Sequence, residues 1–335
     1  ENNPLAGCCA DVCPYDNMCE KACSRSGIDR PIHIGKLQKF LVEQEKEENM
    51  NFMKPGEPNG KRIACIGAGP SSLACARELA RNGYAVTIFE ANEKAGGMLT
   101  YGILPSRLPQ KVVDFDIETI RQAGVQFEFN HKVDRDELER LKKEYDAVYV
   151  GVGLWKAKDV TIPGAELSGV ENALSYLKAA RNQDQDFKVG ENVIVIGGGD
   201  VAMDCVSTAK QLGANAVIVY RRTIEEAPAN MEEVAAVQKM GIPIFTQFAP
   251  EEILGENGKV TGLKAAGRDG YSSLILKADQ IVFAIGQEQT DEFAGLEKEA
   301  GVFTGGDMLY GRGRTVVEAV ADGKQAAADI AEYLK

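Results

Sequence analysis

The chain has no run of about 18 apolar residues, so nothing in it reads as a membrane-spanning helix. Positive charge is in deficit. With 38 Lys and Arg against 50 Asp and Glu, the net charge of -12 argues against nucleic acid or an anionic membrane as partner. Histidine is almost missing, and the two present, His33 and His131, are expected to be structural or exposed. No catalytic triad is nominated. After Cys23 only Cys65, Cys75 and Cys205 remain, scattered singly. They are expected to be small buried hydrophobes, because a secreted disulfide scaffold would be short and cysteine-dense throughout.

What is present is ordinary for a globular protein: 335 residues, 44% hydrophobic and 26% charged, enough for two or three domains. The chain opens on Glu1 rather than Met, as a trimmed chain would, so the absence of a targeting segment carries no weight. The expected compartment is the cytoplasm.

Three regions differ in composition. Residues 1 to about 50 are cysteine-rich and then helical and charged; a Pro/Gly-rich linker, KPGEPNGK, follows at 54–61. From RIACIG onward, apolar β-rich runs alternate with helical patterns, which predicts an α/β fold with parallel sheets covered on both faces. Strands are expected at 62–66, 84–89, 125–130, 147–152, 192–196, 216–220 and 280–285. The stretch KVTGLKAAGRDGYSSLILKAD breaks this rhythm, and its Asp269-Gly270 pair predicts a hairpin.

The chain also repeats itself. GAGPSS at 67–72 and GGGDVA at 197–202 each follow an apolar strand and open a helix. In the first, Gly67 allows the tight turn, and Gly69 lets the backbone approach a pyrophosphate at the N-terminus of a helix opened by Pro70 and Ser71. Ser72 stands where Gly or Ala is usual and is small enough for close packing. The next strand ends at Glu90, whose carboxylate suits a ribose 2′-hydroxyl. In the second, Gly197, Gly199, Asp200 and Val201 take the same positions, but the following strand ends in Arg221-Arg222, which favours a 2′-phosphate. The first site reads as FAD or NAD, the second as NADP(H), with NAD(H) as the alternative. Two dinucleotides in one chain imply hydride exchange, with a flavin as the natural partner of a nicotinamide. DAVYVGVG at 146–153 and DQIVFAIG at 279–286 end in turns at Gly153 and at Ala284 and Gly286, and are expected to carry the chain between the two nucleotide domains. TGGD at 304–307 places Gly306 and Asp307 before a helix expected to begin at Thr315-Val316, where Asp307 could hold a ribityl chain and the helix N-terminus could stabilise negative charge. A redox-disulfide mechanism would need paired cysteines in the nicotinamide domain, which has only Cys205.

The opening cysteines follow Cys9-x3-Cys13-x5-Cys19-x3-Cys23. This spacing alone leaves a disulfide pair, a zinc site and an iron–sulfur site open.

Taken with GGMLTYGILPSRLP at 96–109, VYRR at 219–222, FTGGD and both glycine loops, this run makes the chain resemble a specific family. It is similar to the FAD-containing small subunit of glutamate synthase and its relatives, the NAD(P)H-oxidising subunit of bacterial dihydropyrimidine dehydrogenase and the N-terminal half of the animal enzyme. The resemblance covers nearly the whole chain. It implies two Rossmann-like domains in a glutathione-reductase-like arrangement, preceded by a helical domain holding [4Fe-4S] clusters. The domains would be 1–53 for iron–sulfur, 60–187 with 278–335 for FAD, and an inserted 188–277 for NAD(P)H. It adds Gly97, Met98, Arg107 and Val133 to the expected flavin site. Cys13, Cys19 and Cys23 match ligand positions, and Cys9 a family cysteine that need not be one. Gln38 matches a non-cysteine ligand position that is typically Glu in glutamate synthase relatives and Gln in dihydropyrimidine dehydrogenases. The family's further cluster cysteines lie upstream of this chain's start, which leaves a trimmed chain, ligands from elsewhere, or one cluster held by Cys9, Cys13, Cys19 and Cys23. The implied function is an NAD(P)H-oxidising subunit that passes electrons through FAD and [4Fe-4S] clusters to a larger catalytic oxidoreductase subunit. A stand-alone NADPH:ferredoxin-type oxidoreductase and a non-catalytic nucleotide-binding scaffold are the alternatives.

Overall fold

The computed structural model describes residues 2–50, 52–182, 187–293, 295–296, 299–313 and 315–335. They form two compact units. The first comprises Glu1–Thr100, Pro105–Lys156 and Glu288–Lys335; the second comprises Tyr101–Leu104 and Ala157–Gln287.

The first unit is built on a parallel sheet in the order Val302–Thr304, Ala147–Val150, Arg62–Ile66, Ala85–Phe89, Gln126–Glu128. In a strand successive side chains point to opposite faces. Ala64 and Ile66 accordingly pack with Phe89, Val148 and Val150 against Leu138 and Leu141 of the helix Arg135–Glu144. Cys65, on the other face, interacts with Cys75 of the helix Pro70–Arg81. Cys65, Cys75 and Cys205 are all fully buried, as small hydrophobes are. The C-terminal helix Val316–Tyr333 lies against Pro70–Arg81 so closely that a Cβ on Gly323 would sit 2.0 Å from the Ser71 carbonyl oxygen.

The cysteine segment belongs to this same unit rather than standing apart. Its helix Ala6–Val12 packs against Gln110–Gln122 and against Ile34–Glu47.

The second unit repeats the plan, with parallel strands ordered Val170–Asn172, Gln280–Phe283, Asn192–Ile196, Asn215–Tyr220, Ile244–Thr246. Val193, Val195, Ile218 and Tyr220 face the buried sides of the helices Ala173–Asn182, Asp200–Gln211 and Met231–Lys239. The opposite face, through Ile194, Ile196, Val219 and Phe283, packs on a three-stranded antiparallel sheet of Phe248–Glu256, Lys259–Gly267 and Ser273–Lys277. The hairpin around Asp269-Gly270 forms as its sequence predicts, with the Asp269 carboxylate accepting from the Tyr271 and Ser272 N–H groups. A second hairpin turns at Asn257-Gly258, both in the left-handed region, with φ 51° at Asn257 and 76° at Gly258. The main stretch of this unit runs from residue 157 to 287.

The Gly323 contact is with backbone, which cannot rotate away. Gly323→Ala should lower unfolding stability by about 1–3 kcal/mol, as overpacking does. An unchanged urea midpoint would contradict the close helix contact.

Candidate functional site: two glycine cradles and a cysteine helix

The two sheets end in the same wiring. In the first unit the Gly67 N–H donates to the Phe89 carbonyl at 2.8 Å, and the Gly151 N–H to Ile66 at 2.9 Å. In the second, the Gly197 N–H donates to Val219 at 3.1 Å, and the Ala284 N–H to Ile196 at 2.8 Å. Each bond closes the carboxyl end of a strand onto its neighbour. This is the edge of an open α/β sheet where ligands bind.

Within each loop the glycines have separate jobs. Gly67 has φ 85° and a Cβ there would meet the Gly151 carbonyl oxygen at 2.9 Å; at Gly197 it would meet the Ala284 oxygen at 2.3 Å. These positions are fixed by backbone conformation and packing. At Gly69 and Gly199 a Cβ would find nothing nearer than 3.8 Å and 3.7 Å, so space lies open above the helix start. Both helices begin on these glycines with no side-chain cap, leaving first-turn N–H groups for an anion. By contrast, Asp134, Asn230 and Thr315 cap the helices that follow them. Open backbone above uncapped helix starts fits two pyrophosphates.

Around the first cradle, Gly97 faces Gly69, a Cβ on it lying 3.0 Å from the Gly69 Cα, and Met98 opens a short helix beside it. Ser72 fits because Gly151 makes room, with its hydroxyl donating to the Gly151 carbonyl at 3.4 Å. Gly306 packs on Ser71, which brings Asp307 to the same edge. Gly153 lies in the turn after the strand Ala147–Val150, with φ 72°. Glu90 is buried; its carboxylate accepts from the Ala68 N–H at 2.8 Å and from the N–H and side-chain amide of Asn92. A carboxylate has acceptor sites to spare for ribose hydroxyls. Val133 is a core residue beside Phe89, and Arg107 is half-buried in the connection before Gln110. Thr315 and Val316 start the C-terminal helix through a capping box with Glu318. His131 pairs with Glu137, and His33 with Glu20.

Around the second cradle, Arg221 and Arg222 are exposed at the strand end, and neither guanidinium has a carboxylate partner among the described residues. Asp200 accepts the Asn230 N–H at 2.8 Å, and Val201 lies half-buried in the first helical turn. Gly286, with φ 106°, lies beside the Lys158 side chain. The Glu226 carboxylate accepts from the Thr223 N–H at 3.0 Å and pairs with Arg268 at 2.8 Å; these bonds, the first foremost, hold it below the usual carboxylate range.

The cysteines differ among themselves. Burial pushes the Cys8 thiol well up, Cys9 to about 12 and Cys13 to about 11, with the neighbouring Cys19 adding to the last. Cys23 shifts down, chiefly through a hydrogen bond from the Ile32 backbone. Thiolates are the ligand form, so metal binding here must displace protons. Tyr15, whose hydroxyl donates to the Ala10 carbonyl, lies within electrostatic reach of Cys9, Cys13 and Cys19. The Gln38 side-chain amide donates to the Ala6 carbonyl at 2.7 Å. Among the described residues, no three Cys, His, Asp or Glu side chains are placed to hold a metal ion. The donor chemistry fits iron; a closed cage of these residues is not formed.

A buried carboxylate escaped the sequence reading. Asp116, buried on the inner face of Gln110–Gln122 with Val113, Ile117 and Ile120, accepts from the N–H groups of Gly7 at 3.2 Å and Cys8 at 2.8 Å. Burial raises its pKa to about 6. The available signal was a carboxylate at the apolar i, i+3, i+4, i+7 positions of an amphipathic helix.

Twin cradles of this kind on two parallel sheets define a flavin- and pyridine-nucleotide-binding oxidoreductase. The chain belongs to the pyridine nucleotide-disulphide oxidoreductase family, whose pattern matches residues 61–323, and residues 1–50 match the dihydropyrimidine dehydrogenase domain II, 4Fe-4S cluster. The NAD-dependent dihydropyrimidine dehydrogenase subunit PreT of Escherichia coli K12 is 38% identical over 351 residues, covering 100% of this chain and 83% of that protein. The glutamate synthase [NADPH] small chain of Azospirillum brasilense is 32% identical, covering 98% of this chain and 78% of that one. Among solved structures, the FprA oxidoreductase of Mycobacterium tuberculosis matches with a TM-score of 0.71 at 17% identity, covering 83% of this chain and 85% of that chain, which supports the fold. This chain is an FAD-dependent NAD(P)H oxidoreductase with an iron–sulfur segment. No helix among the described residues is long and apolar enough to cross a membrane.

Asp116→Ala would leave two buried N–H donors unpaired, at about 1–3 kcal/mol each. Limited proteolysis should then cleave within residues 1–50 much faster than in the parent protein, with the remainder intact. Equal cleavage rates would contradict the anchoring role.

Proposed function

We propose that this chain takes hydride from NADPH at the second glycine cradle, holds FAD at the first, and hands electrons through its cysteine segment to a larger catalytic subunit in the cytoplasm. The observation that supports this most is the pair of uncapped helix starts, one followed by buried Glu90 and the other by exposed Arg221 and Arg222. When bound, FAD accepts an electron pair and releases single electrons, the form that iron–sulfur centres carry.

This chain's residues bind and orient. The Gly69 and Gly199 helix starts receive the two pyrophosphates, Glu90 the adenosine ribose of FAD, and Asp307 the ribityl chain. Thr315 and Val316 direct a helix N-terminus towards developing negative charge. Cys13, Cys19 and Cys23, with Cys9 and Gln38 beside them, are the proposed cluster ligands, completed by groups outside this set. The second unit has a single cysteine, the buried Cys205, so the disulfide chemistry in the family's name has no couple there.

Coenzyme choice divides the relatives, since PreT is named NAD-dependent and the glutamate synthase chain NADPH. Two guanidiniums at the strand end favour the 2′-phosphate. In anaerobic stopped flow, NADPH should bleach the flavin absorbance, and Arg221→Ala with Arg222→Ala should raise KM for NADPH by about 1–3 kcal/mol relative to NADH. Equal effects on both coenzymes would reject the phosphate assignment. A flavin inert to both would favour a scaffold role.

Cys19→Ser should remove the cluster absorbance and leave flavin bleaching by NADPH intact. Loss of both signals together would mean that the segment serves folding instead.

A further inference from the structure

The turn after the strand Asn215–Tyr220 is joined to the antiparallel sheet through one residue. Gln247, in the left-handed region with φ 64°, donates its N–H to the Arg222 carbonyl at 2.9 Å, and its own carbonyl accepts from the Arg268 N–H at 2.8 Å. A non-glycine residue with positive φ is uncommon and marks a position fixed by its surroundings. The Arg268 backbone therefore lies one residue across from the proposed phosphate-binding pair.

Its side chain points back to the same turn. The Arg268 guanidinium pairs with the Glu226 carboxylate, which accepts the Thr223 N–H directly after Arg222. The Glu226 backbone is held in turn, its carbonyl accepting from the Tyr220 hydroxyl at 3.0 Å. Tyr220 is the last residue of the strand and its ring packs under Gly198 of the glycine loop. Glu226 thus holds a third guanidinium at the turn that directly follows Arg221 and Arg222. Both partners remain about half exposed, so the pair is open to a ligand. Arginine suits this task because its planar fork can serve a carboxylate and a phosphate at once.

We infer that Arg268 is a further specificity-determining residue: it supplies a third cation to the coenzyme's 2′-phosphate, held in place by Glu226 and brought there by the Gln247 bridge. The inference rests on the proposed NADPH reading. It adds that the antiparallel sheet, outside the glycine-loop motif, takes part in choosing between the coenzymes.

Binding of NADP+ and NAD+ to the FAD-loaded protein, measured by titration calorimetry, tests it. Arg268→Ala should weaken NADP+ about tenfold and NAD+ less than twofold, and Glu226→Gln should weaken NADP+ in the same direction by a smaller factor. The Arg221→Ala, Arg222→Ala protein serves as the reference. If that protein loses NADP+ affinity while Arg268→Ala stays within twofold of the parent, the role of Arg268 is overturned and the phosphate reading stands. If Arg268→Ala weakens both coenzymes equally, the residue shapes the turn and does not meet the phosphate, which also overturns the inference. If the reference protein keeps its preference, the underlying reading is the one that fails.

Discussion

The closure of each parallel strand onto its neighbour by a glycine or alanine N–H is the constraint from which the sites follow. The Gly67 N–H reaches Phe89, and the Gly197 N–H reaches Val219, each on the neighbouring parallel strand. Such a bond demands a sharp turn immediately after the strand, and the turn delivers the chain into a helix whose first N–H groups point outward. A side-chain cap would consume those donors; glycine leaves them free. The same architecture, used twice, gives two uncapped helix starts that differ in what ends the next strand. Glu90 is buried and engaged by its own loop, whereas Arg221 and Arg222 are exposed at theirs.

The cysteine segment is tied to this framework through the helix Gln110–Gln122. Asp116 serves two backbone N–H groups at the start of Ala6–Val12, and Gln38 holds the first carbonyl of the same helix. A short helix is marginal alone, so its position depends on these tertiary anchors. The Cys9 thiol is buried and the Cys13 thiol partly buried, and both are shifted upward, a setting in which a metal ion, not the protein, would have to stabilise the thiolates.

Much of the fold could be read from the sequence because its central strands are continuous apolar runs bounded by glycine, as in RIACIG and NVIVIG. Among the strands that escaped are Val170–Asn172, Ile244–Thr246 and Val302–Thr304, three residues each and too short to show a period. Phe248–Glu256 is nine residues long but carries Pro250 next to a register shift, and Pro at an irregular position does not read as a strand. Asn257-Gly258 nonetheless carried a hairpin signal that could have revealed it. The turns at Gly67 and Gly197 were legible because backbone geometry dictates residue type there, and Glu90 and the two arginines could be placed at strand ends from the apolar runs before them. Asp116, Gln247 and Glu226 were not, since their parts depend on segments brought together only by folding. Likewise Val170–Asn172 joins the second sheet only by pairing with Gln280–Phe283, far along the chain.

The most direct measurement is a crystal structure of the protein grown with both FAD and NADP+. FAD density is expected with its pyrophosphate over the Gly69 helix start and its ribose at Glu90, and NADP+ density over Gly199 with the 2′-phosphate against Arg221 and Arg222. Density for NADP+ at the first cradle, or for neither compound at these helix starts, would contradict it.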